Sequence, residues 1–361
     1  MIRWRKGEVT RVRREWPGAV ELDVSLAEGE FRALAYPSLV GRPEPGDIVL
    51  LNTTALAMGL GTGGYAMVVA VPDRLPEDPS GPGHLVKARY TPLQATVLGA
   101  DEQDSPHHEV LRDADSIDGM PVVVADLHSA LPAILCGLYS SRPGLRVAYV
   151  MLDGGALPAW FSMSCAQLRS HDWLCGVVTV GQSFGGDVEA VTLHTGLLAA
   201  RHVLNADVAV VTQGPGNLGT GTRWGFSGVS AGEAVNAASV LSGRPVAALR
   251  VSEGDKRERH VGVSHHSLTA YGRVALAPAQ VVVPDLPGPF GAKVREQAEA
   301  LAVRHELVHV PVDGLYEALR ESPVRLSTMG RGLDEDLAYF LTSAAAGRHT
   351  ASLPASSDPG A

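Results

Sequence analysis

Two stretches of this 361-residue chain hold the residue types from which a binding or catalytic site is made. The first, Gln213-Gly-Pro-Gly-Asn-Leu-Gly-Thr-Gly-Thr222, sets four glycines among one proline and three small polar side chains. Glycine tolerates left-handed backbone and lets other groups approach the main chain, so successive N–H groups can converge on an anion. Gly214, Gly216, Gly219 and Gly221 would supply that backbone, with Gly219 expected at a left-handed position. Asn217, Thr220 and Thr222 would add donors. A helix expected to follow the loop would contribute the partial positive charge of its N-terminus. The Walker lysine is absent and the glycine spacing is not the dinucleotide fingerprint, which points to a small anion and away from hydride transfer.

The second stretch runs from Arg250 to His266. Arg257 and Arg259 are guanidiniums that can fork onto phosphate or carboxylate. His260, His265 and His266 can move protons near neutral pH or ligate metal, and Asp255 stands beside them as a carboxylate. A third loop adds Gln182 and Asp187, and Asp126-Leu-His128 a fourth. A divalent metal could combine Asp126 and His128 with His265 and His266, and His260 as well. Carboxylate and imidazole donors of this kind suit zinc, manganese or iron, although no compact ligand motif such as H-E-x-x-H occurs. The plain alternative is a solvated charge run with internal ion pairs. Ser183, Ser227 and Ser264 lie near glycines, but none sits in a G-x-S-x-G elbow.

The elements that must position these residues follow from hydrophobic pattern. Residues 1–71 alternate in short runs (Val20 to Val24, Phe31 to Tyr36, Ile48 to Leu51, Tyr65 to Val71) between turn signals, which predicts a small antiparallel β-barrel or sandwich domain. Within it, Gly59-Leu-Gly-Thr-Gly-Gly64 reads as a tight hairpin or bulge. Residues 72–120 read as a linker and connecting segment. From 121 to 346, apolar runs alternate with helical patterns such as Val188 to Leu204, Val229 to Leu241 and Ala292 to Val303. That grammar predicts an α/β domain with a mostly parallel, doubly wound, Rossmann-like sheet. The Ala/Ser/Pro-rich residues 347–361 read as a disordered tail. In a parallel sheet, ligands bind outside the carboxyl ends of the strands. The loops after successive strands would therefore gather Asp126, Gln182, Asp187, the glycine loop and the Arg/His segment on one edge as a composite pocket.

The net charge of −9 argues against nonspecific binding to nucleic acid or acidic membranes. No signal peptide or apolar stretch long enough for a membrane helix is evident, so the expected location is cytoplasmic. Three cysteines in apolar stretches, Cys136, Cys165 and Cys175, fit buried thiols in a reducing compartment. A homo-oligomer is compatible with all of this.

The stretches Gly83-His-Leu-Val-Lys-Ala-Arg-Tyr-Thr-Pro92, Gly185-Gly-Asp-Val-Glu189, the loop Gln213–Thr222, Arg257-Glu-Arg-His260 and Val263-Ser-His-His266 resemble a bacterial domain-of-unknown-function family, numbered 3866. The resemblance spans nearly the whole chain and implies no activity. A fainter similarity in layout is to the substrate subunits of glycine and betaine reductase, through Asp207, Gly214-Pro215, Gly219 and Pro245. The cysteine or selenocysteine of that chemistry has no counterpart in this loop, so the similarity implies a shared α/β layout and no reaction. The functional expectation is an enzyme that hydrolyses, or transfers a group from, a small phosphorylated or carboxylated metabolite. A noncatalytic ligand-sensing or assembly protein is the alternative.

Overall fold

The computed structural model describes residues 1–60 and 63–354. Five strands, β1 (Trp4–Trp16), β2 (Ala19–Leu26), β3 (Gly29–Ala35), β4 (Ile48–Asn52) and β5 (Ala66–Ala70), close into a barrel in the order β1-β2-β3-β5-β4. The pairs are antiparallel except β3 with β5. Two short helices, α1 (Pro37–Val40) and α2 (Thr54–Ala57), fill the connections. β1 was not legible as a strand because arginines and glutamates crowd its outer face. Irregularities near Val9 and Val12 bend it so that it pairs with both β2 and β4. In the Gly59–Gly64 stretch, Gly61 and Thr62 lie outside the described residues. Gly59, Gly63 and Gly64 have φ of 65°, 63° and 78°, as a tight turn requires.

The connecting region carries a small antiparallel hairpin, β6 (Leu85–Lys87) with β7 (Ala95–Val97), and one helical turn, α3 (His108–Leu111). The parallel sheet then comprises β8 (Pro121–Val124), β9 (Val147–Leu152), β10 (Gly176–Thr179), β11 (Val188–Glu189), β12 (Val208–Gln213), β13 (Arg244–Ala248), β16 (Gln280–Pro284) and β17 (Glu306–Val310). Their order is β11-β10-β9-β12-β8-β13-β16-β17. The two-stranded pairs β14 (Val251–Ser252) with β15 (Gly262–Val263) and β18 (Ser327–Thr328) with β19 (Arg331–Gly332) stand outside that sheet. Every residue of β8, β9, β10 and β12 is buried, as expected of strands covered on both faces.

The covering helices are α4 (Ala130–Ser141), α5 (Met163–Ser170), α6 (Leu193–His202), α7 (Ser230–Val240), α8 (His265–Thr269), α9 (Gly288–Ala298), α10 (Leu315–Arg320) and α11 (Leu337–Ser352). α10 and α11 pack on α4, whereas α6 packs on α7 and α7 on the turn after α8. α4 is buried over Ala130–Leu138, so it has no polar face and no helical period for a sequence reading to detect. It meets α11 at unusually close range. A Cβ on Gly137 would fall 1.9 Å from the Ala344 carbonyl oxygen, and one on Gly347 would fall 2.0 Å from that of Ile134.

Two sequence expectations shift. The helical pattern from Val188 begins with an edge strand, since Val188 and Glu189 pair with β10, and α6 starts only after Thr192 caps it by accepting the Thr195 N–H. Residues 347–352, expected in a disordered tail, are helical. α11 runs to Ser352 because Thr350 and Ala351 are buried, and His349 Nε2 lies 2.8 Å from Gln280 Oε1. Residues 355–361 lie outside the described residues. All three cysteines are free; Cys136 and Cys165 are buried and Cys175 is half-buried. No helix among the described residues is long and apolar enough to cross a membrane.

Candidate functional site

Strand order selects one crevice. The chain leaves β8 toward β9 and leaves β12 toward β13, while β8 and β12 are hydrogen-bonded neighbours. Right-handed crossovers departing in opposite directions put α4 and α7 on opposite faces. A gap therefore opens above the carboxyl ends of β8 and β12, the position where doubly wound sheets hold ligands. A cavity of about 250 Å³ occupies it, lined by His128 and Ser129, by Gln213–Asn217, and by Arg325, Ser327 and Met329. The N-terminus of α4, preceded by Ser129, opens into this cavity. Arg325 is exposed and forms no ion pair among the described residues.

The glycine loop divides into two parts. The first half lines the cavity. Gln213 is buried there, its Nε2 donating to the Asp126 carbonyl at 2.6 Å and to Asn217 Oδ1 at 3.2 Å. Ser227 Oγ reinforces that corner, 2.5 Å from Gln213 Oε1 and 2.9 Å from Asn217 Oδ1, while accepting the Leu218 N–H. The second half is a self-contained hairpin. Thr220 N–H donates to the Gly225 carbonyl, and Gly225 N–H to Thr222 Oγ1. Thr220 and Thr222 are thus spent on the loop's own turn. Gly216 and Gly221 take the left-handed conformation, with φ of 96° and 79°; Gly219 does not. The helix after the loop starts only at Ser230, so α4, not α7, aims its N-terminus into the crevice.

The Arg/His segment forms a second, adjoining cluster. The antiparallel pairing of Val251 with Val263 closes the intervening loop and sets Arg250 beside Ser264, His265 and His266. Ser264 caps α8 by accepting the His266 N–H, and its Oγ lies 2.7 Å from His260 Nδ1. His260, His265 and His266 then converge, with one nitrogen from each lying within 4.8 Å of the others. Phe226, at the return of the glycine loop, stacks face to face on His266 at 3.8 Å. Burial, with help from Arg250 among others, pushes His260 down to about 3. Burial, with help from neighbouring His266 among others, pushes His265 down to about 4, so both are neutral at pH 7.

Asp126 joins the two clusters. Its backbone carbonyl braces Gln213, and its buried carboxylate reaches toward His266 Nδ1 at 3.5 Å and Arg250 at 3.7 Å. Burial alone would raise this carboxyl, but His266 and Arg250 hold it below its ordinary value. Among the described residues, two buried atoms here have no hydrogen-bond partner, Asp126 Oδ2 and His265 Nε2.

Other expected site residues have different duties. His128 is turned away from the imidazole cluster. Its Nδ1 lies 3.0 Å from the Tyr149 hydroxyl and its Nε2 2.7 Å from Ser162 Oγ, and burial lowers it to about 4. Asp255 is gripped by Arg257 through two hydrogen bonds of 2.9 and 2.7 Å and also faces Arg331 and Arg250, so its carboxyl is held well below the ordinary range. That makes Asp255 an anchor for Arg257 and no proton donor at neutral pH. Arg259 lies near Gly221. Asp187 pairs with Arg169 and accepts the Val177 N–H, away from the crevice. Gln182 Oε1 accepts the Arg89 N–H, tying its loop to the β6–β7 hairpin.

Sequence reasoning missed two residues. Arg325 reaches the crevice from the segment between α10 and α11, with no motif around it. Lys87 lies inside one of the family-like motifs but gave no sign of burial. Its Nζ donates to the carbonyls of Gly181, Ser183 and Ala190 at 2.7, 2.9 and 3.0 Å, and Glu189 Oε2 is 3.4 Å away.

Fold and site together define a doubly wound α/β protein with an appended β-barrel and a polar crevice at its topological switch point. The chain belongs to the family described as "Protein of unknown function (DUF3866)", whose profile matches residues 32–347. No curated protein matches it.

Proposed function

We propose that this protein is an enzyme that binds a small phosphorylated or carboxylated metabolite in the crevice between β8 and β12, and hydrolyses it or transfers a group from it. The observation that carries this reading is Arg325, an unpaired guanidinium at a cavity also lined by the N-terminus of α4 and by the Gly214–Asn217 backbone. A guanidinium fork favours an anion; α4 adds only the partial positive charge of its dipole, since the Ala130 and Leu131 N–H groups are spent on the Leu127 and His128 carbonyls and Pro132 has none. A volume of about 250 Å³ lies just below the usual range for drug-sized ligands, which favours a small metabolite over a dinucleotide. Arg325 takes the neutralising role expected of Arg257, which is committed to Asp255.

One observation favours the noncatalytic alternative. His128, the imidazole that lines the crevice, has both nitrogens engaged, so the crevice wall itself offers no free proton carrier. The two readings separate in one experiment. Inorganic phosphate, phosphomonoesters and small carboxylates are screened by thermal shift on wild type and Arg325→Ala, and stabilising compounds are followed for turnover by phosphorus or proton NMR. The enzyme reading expects stabilisation that Arg325→Ala abolishes, together with turnover. Stabilisation without turnover selects the sensor. No stabilisation by any anion, or an unchanged response in Arg325→Ala, removes the anion site.

A further inference from the structure

The crevice reading leaves one cluster unexplained. His260, His265 and His266 crowd together between Ser264 and Phe226. Two buried polar atoms beside them have no partner, Asp126 Oδ2 and His265 Nε2. An unsatisfied buried polar atom is destabilising, so a pair of them at one spot calls for an occupant.

We propose that His260, His265 and His266 hold a divalent transition-metal ion, zinc by donor preference, with Asp126 orienting His266 behind it. The hydrogen bonds assign the ligand atoms. Ser264 occupies Nδ1 of His260, which leaves Nε2. Nε2 of His265 is already the unpartnered atom. On His266, Nδ1 faces Asp126 and Arg250, at 3.5 and 3.2 Å, which again leaves Nε2. Metal at that nitrogen fixes the proton on Nδ1, where it can donate to Asp126 Oδ2. One ion thus gives both orphaned atoms a partner, and produces the carboxylate–histidine–metal relay that orients many ligating imidazoles. Arg250 NH1 must then release Nδ1, and it lies between two carboxylates, Asp126 at 3.7 Å and Asp255 at 3.8 Å, that can retain it.

Three imidazoles suit zinc and leave a fourth position for water or substrate. Zinc–nitrogen bonds of ~2.0–2.1 Å put tetrahedral ligands about 3.3 Å apart, and one nitrogen from each of the three rings already lies within 4.8 Å of the others. His265 is only half-buried and marks the side from which an ion could enter.

The site stands without the crevice reading, because its test reads metal and not substrate. Full-length protein is stripped with a chelator and titrated with zinc(II), and separately with cobalt(II). The expected result is one zinc per chain by elemental analysis, and cobalt ligand-field bands of a four-coordinate nitrogen site. Asp126→Asn should weaken zinc binding by about 10–100-fold, and His260→Ala or His265→Ala by more than that. His107→Ala with His108→Ala, in a polar segment elsewhere, should leave it unchanged. Absence of stoichiometric zinc, or affinity unchanged in His265→Ala, overturns the proposal. If circular dichroism shows that the histidine variants do not fold, the wild-type cobalt spectrum decides, and bands of an all-oxygen six-coordinate ion overturn it.

Discussion

Replacing Lys87 by methionine tests the account of how the far edge of the sheet is held. The lysine is 2% exposed, its ammonium bound by three carbonyls and faced by the buried Glu189. Burial drives the lysine below its ordinary value and Glu189 above its own, each partly offset by the other. Methionine keeps the stem's volume but strands the carboxylate and three carbonyl oxygens. Removing one partner of a buried ion pair costs about 3–5 kcal/mol, chiefly through the charge left behind. Glu189 retains the Thr179 hydroxyl at 2.7 Å and the Gly185 N–H at 2.6 Å, so the lower half of that range is expected. Removing the stranded charge as well should recover part of the loss. The double variant Lys87→Met/Glu189→Gln is therefore expected to be less destabilised than the sum of the singles, by about 1–3 kcal/mol, as contacting residues typically couple. Urea unfolding of wild type, both singles and the double measures this directly. Hydrogen exchange should show faster opening of the β6–β7 hairpin and the Gly181–Ser183 loop, which the ammonium ties together. A Lys87→Met loss below about 1 kcal/mol, or additive singles, would refute the argument.

The remaining predictions concern the helix pair and the imidazoles. Gly137→Val should destabilise the protein by about 1–3 kcal/mol or more through overpacking, because its Cβ would sit 1.9 Å from the Ala344 carbonyl oxygen; a melting temperature equal to wild type in differential scanning calorimetry would deny the close α4–α11 contact. Metal-free protein should lose stability on mild acidification. His128 and His265 are lowered to about 4 and His260 to about 3 from 6.5, so the unfolded chain binds more protons across that window. The stability they provide is complete above pH 6.5 and lost as pH falls through 4, with Glu189, raised by burial, opposing in part. Denaturant unfolding at pH 7.5 and pH 5 checks the sign, and greater stability at pH 5 would contradict it.

The limits of what could be read in the chain follow from what local pattern encodes. Continuous valine and alanine runs reveal a parallel sheet because both faces of β8, β9 and β12 are covered, and that fact is local to each strand. Chain order also places the loops after those strands on one edge. Which loops become neighbours depends on strand order, and nothing in any one run carries it. β12 inserts between β9 and β8, so Gln213–Asn217 meets Leu127–Ser129 and not the Arg/His segment as its opposing wall. Asp126 and His128, two residues apart, were expected to act as a pair. They diverge because the chain is turning from β8 into α4: the carboxylate goes toward His266 and the imidazole toward Tyr149 and Ser162. Arg325 was out of reach for the same reason, since it arrives from the segment between α10 and α11, far along the chain from the other walls of the crevice. The close α4–α11 contact through Gly137 and Gly347 thus does more than fill the core. It brings the head of α4, where Ser129 Oγ meets the Tyr339 hydroxyl and Thr328 Oγ1 at 2.8 and 3.1 Å, up against the segment that carries Arg325.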